Sequence, residues 1–354
     1  MDSITQAALG AAVGGAVLGR RLGRKAVLIG AALGTLPDLD VVLDYGDAVA
    51  NYTEHRGFSH SLFVLTGLAT LLALLAAPFA PARDIPLRHW WLFFMLCLTT
   101  HPLLDALTTY GTQLWWPLDV HPSAWPIVFI IDPLYTLPLL VGIVIALVSG
   151  NGRRGPAWGL ALSSLYLVVA FGAKSLVEYR LGPELAKRGL DDAPRLVQPT
   201  PFNTLLWRVT VIDGDDQHEA LVSVFDGRAP VEFERFSRGA QWELAALAST
   251  NGARLDWFAG PYLRYDVELI DDIPTLTATD LRLGFPGFHP FTFTLLEAEL
   301  ESGQWLPLRS EQLVPPARSN GAALTLLGRR IVDRDAPLCL GALVDPAWHE
   351  EVAC

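Results

Sequence analysis

The apolar run at residues 59–82, SHSLFVLTGLATLLALLAAPFAPA, decides how the amino-terminal half folds. It contains no Asp, Glu, Lys or Arg and is longer than the roughly 20 apolar residues that a helix needs to cross a bilayer. Five further apolar stretches, two of them short and rich in Ala and Gly, lie at residues 4–19, 26–36, 87–107, 126–149 and 156–173. Together they predict about six transmembrane or re-entrant helices, with the buried helices of a soluble bundle as the alternative.

The two short stretches, residues 4–19 and 26–36, are expected to form a tightly packed helical hairpin. Small residues let helix backbones approach closely in an apolar environment. We therefore predict close packing at the glycines of the first stretch, which are Gly10, Gly14, Gly15 and Gly19.

Composition supports a membrane protein with two unlike halves. The chain is 51% hydrophobic and 18% charged, against about 25% charged residues in a soluble domain. Of the net charge of -11, very little falls in residues 1–173, which hold 9 Lys and Arg against 10 Asp and Glu. The acidic remainder faces water in this interpretation, and the absence of a basic surface argues against nucleic acid as a partner.

After residue 173 the pattern changes from long apolar runs to short alternating stretches. Residues 207–211 and 291–295 alternate β-branched or aromatic residues with others, and Asp-Gly and Gly-Pro turns separate such stretches. This period of two is typical of strands. We predict a helical membrane domain over residues 1–173, a linker over 174–203 and a β-rich domain over 204–354.

The distribution of Lys and Arg predicts the orientation in the membrane. Short cytoplasmic loops are enriched in these residues. The loops at residues 37–58 and 108–125 hold only Arg56, whereas the loops on the other side hold Arg20, Arg21, Arg24, Lys25, Arg83, Arg88, Arg153 and Arg154. We therefore expect a multi-pass protein of the lipid bilayer whose carboxy-terminal domain is extracytoplasmic.

The three cysteines, Cys97, Cys339 and Cys354, give neither a disulfide framework nor a Cys-based zinc site. Whether Cys339 pairs with Cys354 is left open. Any bound metal must therefore use His and carboxylate ligands.

Residues of the types that bind metals collect at the predicted outer ends of the helices. The candidate metal ligands are Asp38, Asp40, His55, His60, His101 and Asp105. The i,i+4 spacing of His101 and Asp105 places both on one helical face. Carboxylates with imidazoles favour zinc, with manganese or iron as alternatives, over calcium. One or two ions fit six ligands, and a purely structural polar network is the other interpretation.

Two further residues are candidates for catalytic roles. Arg56 stands among the histidines and would either bind an anionic phosphate oxygen or pair with an Asp. Asp132 lies just inside the fifth apolar stretch, where we expect it to hydrogen-bond a ligand histidine from behind. A direct ligand role and a helix cap are the alternatives for Asp132.

At these residues the sequence resembles the YdjM-like family of predicted inner-membrane metal-dependent hydrolases. The resemblance rests on MDSITQA at residues 1–7, TLPDLD at 35–40, HRGFSHS at 55–61, THPLLDALTTYG at 100–111, and residues 131–138 and 199–208. It implies a bacterial inner (plasma) membrane location and a metal-dependent hydrolase activity.

The leading hypothesis is a membrane-embedded metal-dependent hydrolase that acts at the outer membrane face. Its expected substrate is a phosphoester, in a phospholipid or another lipid-linked molecule. The six ligands would bind a metal that activates water, and Arg56 would stabilise the charge of the transition state. The alternatives are a non-catalytic regulatory or envelope-stress protein with a structural metal site, and a metal-ion transporter.

Overall fold

The computed structural model describes residues 1–79, 84–150, 152–227, 229–286, 288–299, 302–313, 321–336, 338 and 340. The chain forms two units, the first made of Met1–Leu43, Glu54–Gly172 and Pro201–Asn203, and the second of Asp44–Thr53, Ala173–Thr200 and Thr204–Cys354. Arg83, Cys339 and Cys354 lie outside the described residues, and with them the question of the cysteine pair.

Helices dominate the amino-terminal half. In chain order they are α1 (Ser3–Leu22), α2 (Arg24–Thr35), α3 (Ala48–Glu54), α4 (Leu62–Ala76), α5 (Leu87–Asp105), α6 (Pro133–Ser149) and α7 (Arg154–Arg188). Two short 3₁₀ turns, Pro37–Val42 and Phe58–His60, stand before and after α3. The predicted linker at residues 174–203 holds the end of α7 and the first strand, because α7 continues to Arg188.

The helix lengths correct the prediction of six spans. By length and composition, one helix of the described chain can cross a membrane, namely Arg154–Arg188. The pair Ala48–His60 and Leu62–Ala76 is a second candidate if it counts as one bent span. The other apolar stretches yield shorter or less apolar helices, since α2, α4 and α6 have 12, 15 and 17 residues, against the roughly 20 required.

Helices α1 and α2 pack backbone against backbone at two of the four predicted glycines, Gly10 and Gly14, whereas Gly15 and Gly19 face Gly152. A Cβ built on Gly10 would overlap the carbonyl oxygen of Gly30, and one on Gly34 would lie 2.5 Å from that of Gln6. At Gly14 the obstacle is the carbonyl oxygen of Ala26, also at 2.5 Å. Only glycine permits this approach, and it brings the last turn of α2 close to α5.

Helix α5 runs through the core of the first unit. Its buried residues Phe93, Cys97 and Leu98 are fully inaccessible. They pack in one cluster with Leu9 of α1 and Leu65 of α4. The buried apolar residues that precede the last turn of α5 therefore fix the position of that turn, which carries His101 and Asp105.

The second unit contains two antiparallel sheets, which confirms the β-rich prediction. The first sheet has the order β1 (Arg195–Pro199), β2 (Leu206–Asp213), β3 (Asp216–Ser223) and β4 (Glu234–Ser237). The second has the order β5 (Leu263–Ile270), β6 (Ile273–Asp280), β7 (Thr292–Ala298) and β8 (Trp305–Pro307), with β9 (Gln312–Leu313) also on β7. Three helices accompany them, α8 (Glu243–Leu247), α9 (Thr250–Ala259) and α10 (Gly321–Val332).

The hairpin between β5 and β6 shows how local sequence sets the register. Asp271 and Asp272 have φ of 51° and 64°. Two successive left-handed residues match the twist of the flanking strands, and Asp tolerates this conformation better than most residues do. The strands consequently pair from Ile270 and Ile273 outward.

Candidate metal centre

Four side chains from separate stretches of the first unit converge on one point. Asp38, His60, His101 and Asp105 each present one ligand atom, and these four atoms lie within 4.8 Å of one another. The two Nε2 atoms are 3.2 Å apart, and each lies 3.2–3.4 Å from Asp38 Oδ1 and from Asp105 Oδ2. A tetrahedral ion with bonds near 2.0–2.1 Å has ligands about 3.3 Å apart. Five of the six ligand-atom separations therefore match those of a tetrahedral metal shell, and the sixth, between the Asp38 and Asp105 oxygens, is within 4.8 Å.

Local structure explains why these atoms meet. Asp38 stands in the 3₁₀ turn Pro37–Val42 that follows α2, and the turn Phe58–His60 ends on the second ligand. His101 and Asp105 lie one turn apart on the same face of α5, with 3.4 Å between Nε2 and Oδ2. The i,i+4 relation thus supplies half of the group from a single helix.

The hydrogen bonds on the far side of each imidazole fix its tautomer. His101 Nδ1 lies 2.5 Å from the Gly34 carbonyl oxygen, so it must donate a proton there. Ser59 gives its only hydroxyl proton to Asp40 Oδ2 over 2.7 Å, so His60 Nδ1 must donate to Ser59 Oγ over 2.8 Å. When both imidazoles are neutral, the two Nε2 atoms, 3.2 Å apart, are therefore unprotonated and their lone pairs repel each other. A cation between them removes this repulsion, which is the arrangement of metal-ligating histidines.

Asp105 presents one satisfied and one unsatisfied oxygen. Its Oδ1 accepts from Gln6 Nε2 over 2.9 Å and from the Met1 amino group. Its Oδ2 faces the histidines and is buried without a hydrogen bond. A buried carboxylate oxygen in this state costs about 1–3 kcal/mol or more. A bound cation would satisfy it, so the donor set fits a divalent metal.

The other two predicted ligands, Asp40 and His55, are not part of this group. Asp40 Oδ1 lies 3.0 Å from His55 Nδ1, and its Oδ2 accepts from the Arg56 backbone N–H over 3.0 Å and from Ser59. Asp40 therefore holds the loop that carries His60 and supports the imidazole from behind. In the described residues the structure brings four of the six predicted ligands together, and the assignment of a metal to them stays a prediction.

Both carboxyls of the 3₁₀ turn are held in the ionised form. Burial raises the pKa of Asp38, but when His101 and His60 are protonated, hydrogen bonds from their Nε2 atoms outweigh it and bring that pKa below the usual value. Burial likewise opposes the lowering of the Asp40 pKa, which results mainly from the hydrogen bond with His55. Negative charge on this turn suits the binding of a cation.

Arg56 places an unusual cation beside the group. Its backbone has φ of 64°, a conformation that costs a non-glycine residue about 1–3 kcal/mol. Asp40 holds the Arg56 N–H, and the Gln113 N–H donates to the Arg56 carbonyl over 3.0 Å. The buried guanidinium lies over the Tyr110 ring and 3.4 Å from Asp105 Oδ2, yet Nε and Nη1 make no hydrogen bond. These donors are available to an anionic oxygen.

Asp132 has a different place from the one expected. It is the N-cap of α6, where Oδ1 accepts from the backbone N–H groups of Leu134 and Tyr135 over 3.0 and 3.3 Å. Its Oδ2 accepts from the Tyr166 hydroxyl over 2.8 Å. None of these described partners is a histidine, so the geometry matches the helix-cap alternative rather than support of a metal ligand.

Sequence reasoning missed three groups that orient the candidate ligands. Gln6 and Ser59 hold Asp105 and His60 through side chains, and Gly34 holds His101 through its carbonyl. Gln6 and Ser59 gave a signal, since both stand in motifs that carry the family resemblance. Gly34 acts through its backbone, which residue type does not reveal.

Fold and site together define the class of protein. It has a largely apolar helical unit, a β-rich unit later in the chain, and a buried His and Asp group that could hold a metal ion. The chain belongs to the YdjM inner membrane protein family, whose model matches residues 1–177. The family resemblance drawn from the motifs is thereby confirmed.

Two curated relatives extend this finding. The chain is 24% identical over 279 residues to the uncharacterized protein YfhP of Bacillus subtilis (strain 168), covering 75% of this chain and 80% of YfhP. It is 32% identical over 114 residues to the inner membrane protein YbcI of Escherichia coli (strain K12), covering 32% of this chain and 64% of YbcI. No solved structure matches the chain.

Proposed function

We propose that the protein is a membrane-embedded metal-dependent hydrolase of phosphoesters, with Asp38, His60, His101 and Asp105 as its metal ligands. One observation carries the proposal. Two imidazole Nε2 atoms and a carboxylate oxygen without a hydrogen bond surround a point suited to a cation, and beside it Arg56 has N–H donors that make no hydrogen bond. The first part of this arrangement suits a metal, and the second suits an anion next to that metal.

The donor set suggests zinc, with manganese or iron as alternatives. When bound, such an ion would act as a Lewis acid and lower the pKa of water to near neutrality. The chain's own residues hold the site in shape, since Gly34, Ser59 and Gln6 fix the orientation of three ligands. Asp38 is the ligand with the most exposed side chain, at 20%, and its edge of the group is the natural approach for substrate.

The substrate class follows from charge. Arg56 is buried and lies against one carboxylate, which leaves its remaining donors for another anion. Guanidinium groups bind phosphate oxygens through directed hydrogen bonds and stabilise the charge that develops in phosphoryl transfer. In an inner membrane protein, a phosphoester within a phospholipid or lipid-linked molecule is the accessible substrate of this kind. We further propose a multi-pass topology with an extracytoplasmic carboxy-terminal domain and no nucleic-acid partner.

A structural metal site is the second candidate function, and a specific observation favours it. Four protein side chains each bring one ligand atom to the group and would together fill a tetrahedral shell, whereas a catalytic zinc keeps one position open. In that case the metal would organise the helices of a non-catalytic regulatory protein. The unused donors of Arg56 favour catalysis instead, because a structural site has no need of an anion.

The test combines metal content with activity. The full chain, purified in detergent or nanodiscs, is analysed for bound metal and for hydrolysis of bis-p-nitrophenyl phosphate and a phospholipid panel. We expect about one metal ion per chain in the wild type and in the control His121→Ala, which changes an exposed histidine outside the group. The variant His60→Ala/His101→Ala should lose both metal and activity.

The outcomes separate the candidates. Equal metal in the double variant and the wild type would contradict the ligand assignment. Metal that is lost together with the fold, in a protein without hydrolase activity, would support the structural role. Metal in the wild type together with activity that requires it supports the hydrolase.

A further inference from the structure

A second charged feature of the first unit lies outside the candidate metal centre. A groove of about 470 Å³ is lined by Arg20, Arg153, Arg154, Ala157, Trp158 and Ala161. Its volume falls within the range of about 300–1,000 Å³ usual for small-ligand sites. Half of its lining is arginine, and among the residues that the structure describes none of its lining residues is Asp or Glu. The groove therefore presents positive charge without a carboxylate of its own.

Close packing of small residues brings these arginines together. A Cβ on Gly15 would lie 2.7 Å from the carbonyl oxygen of Gly152, and one on Gly19 would overlap it. The end of α1 consequently rests on the start of α7. Arg20 follows Gly19 directly, and Arg153 follows Gly152 directly, so the packing places these arginines at the same groove.

Two other arginines of the same region, Arg21 and Arg24, bind backbone carbonyls. Arg21 Nη1 donates to the Asp84 carbonyl over 2.8 Å, and Arg24 Nη2 donates to the Val148 carbonyl over 3.2 Å. Arg24 thereby caps the carboxy-terminal end of α6, and Arg21 binds the segment before α5. The three arginines that line the groove bring like charges to one place, and an anion among them would reduce their mutual repulsion.

The position along α7 indicates what kind of anion this is. Helix Arg154–Arg188 is the one unbroken helix of the described residues that passes the length and composition test for a membrane span. The groove lies at its first turn, and Trp158, one turn further along, is 70% exposed. Trp side chains prefer the level of the lipid headgroups. A basic groove at this level meets phosphate groups attached to lipid.

We propose that this groove binds the phosphate-bearing headgroup of an anionic phospholipid. The arginines contact the phosphate, and the Trp158 ring packs along the glycerol and upper acyl region. Basic pockets between helices on the cytoplasmic side recognise anionic headgroups in this way. Lipid bound there would join α1 to α7 through one ligand. This site is independent of the proposed hydrolase activity.

The test uses the full chain in detergent with added lipid. Binding of phosphatidylglycerol is measured by native mass spectrometry and by the rise in Tm, with phosphatidylcholine and inorganic phosphate as comparison ligands. The variant Arg20→Gln/Arg154→Gln is compared with Lys25→Gln/Arg88→Gln, which removes the same charge from outside the groove. We expect the first variant to bind phosphatidylglycerol on the order of 30-fold more weakly and the second to bind as the wild type does.

Each result decides the proposal. Equal binding by the two double variants, or an equal response to phosphatidylcholine, overturns it. Inorganic phosphate that displaces the lipid at comparable concentration also overturns it, because the groove then takes the free anion. Trp158→Leu keeps every charge and should weaken lipid binding several-fold without lowering the Tm of the lipid-free protein. If the arginine variant folds poorly, the outcome for Trp158→Leu decides.

Discussion

Each unit of the molecule buries a cluster of charges, and the two clusters differ in how completely they are satisfied. In the second unit, Glu219 accepts from Arg208, Thr210 and Gln217 over 2.6–2.8 Å. The remaining Arg208 nitrogen donates to the Gly284 carbonyl over 2.7 Å. Every charged atom of this pair has a partner within the protein.

The charged cluster of the first unit, formed by Asp105, Arg56, His60 and His101, is open, because some of its buried charged atoms have no hydrogen-bond partner. Asp105 Oδ2 and two nitrogens of Arg56 are buried without hydrogen bonds, and the Nε2 atoms of His60 and His101 face each other over 3.2 Å. Buried polar groups in native proteins are nearly always paired. A closed cluster therefore indicates a role in the fold, whereas an open one indicates a ligand that completes it.

The largest effect on stability should come from breaking the closed cluster. Replacing Glu219 by Ala leaves the Arg208 guanidinium buried and without its carboxylate, which costs about 3–5 kcal/mol. Chemical unfolding of the full chain measures this, with Glu232→Ala as the control. The Glu232 side chain is 91% exposed, and its pair with Arg334 is therefore worth little. A loss below about 1 kcal/mol in Glu219→Ala would remove the contrast between the two clusters.

Removing a charge from the open cluster should act on catalysis instead. Arg56→Gln is expected to lower kcat for phosphoester hydrolysis by about 10²–10³-fold, the usual effect of deleting one donor to a developing negative charge. Metal content should be unchanged, because Arg56 is outside the four-ligand group. Activity and metal are measured on the same preparation. A variant that keeps full activity would show that Arg56 serves only to neutralise Asp105.

A smaller effect, on metal affinity, is expected from removing the Ser59 hydroxyl, which lies 2.8 Å from His60 Nδ1. In Ser59→Ala the imidazole loses its acceptor, and Asp40 loses a donor. Loss of such an orienting partner typically weakens metal binding by about 10–100-fold. Competition with a chelator measures the affinity, and Ser163→Ala is the control, since it removes another buried hydroxyl of the same unit. Equal affinity in Ser59→Ala and the control would argue against an orienting role.

Sequence patterns predicted part of this site well. The i,i+4 rule placed His101 with Asp105, and the apolar runs predicted helices α4 to α6 to within several residues, whereas α7 continues to Arg188 rather than ending at residue 173. Asp38 and Asp40 could not be told apart, because both stand in one turn. In a 3₁₀ turn successive residues point about 120° apart, so two residues separated by one position cannot face the same ion.

Other features depended on information that residue type does not carry. The number of spans was wrong because apolar length overstated helix length, as in residues 59–82, where the helix is Leu62–Ala76. The left-handed backbone of Arg56 separates His55 from the ligand group. A glycine at position 56 would have indicated such a backbone in advance, but an arginine does not. The acceptor for His101 is a backbone carbonyl of α2, so only the packing of α2 against α5 reveals it.

The smallest expected effect concerns pH and the second unit. Burial and the charge of Arg208 lower the pKa of His289 well below its usual value, while Nδ1 donates to the Leu283 carbonyl over 2.6 Å. The unfolded chain protonates this histidine near its ordinary pKa of about 6.5, and the folded chain does not. Stability is therefore complete above that pH and falls below it, by about 1.4 kcal/mol at pH 5.5. Chemical unfolding at pH 7.5 and 5.5 measures the fall, and His289→Asn should reduce it, with His121→Asn as the control. If the free energy of unfolding fell equally in His289→Asn and in the wild type, the pH dependence would come from other groups. The cluster around Arg208 would then tolerate a second positive charge on His289.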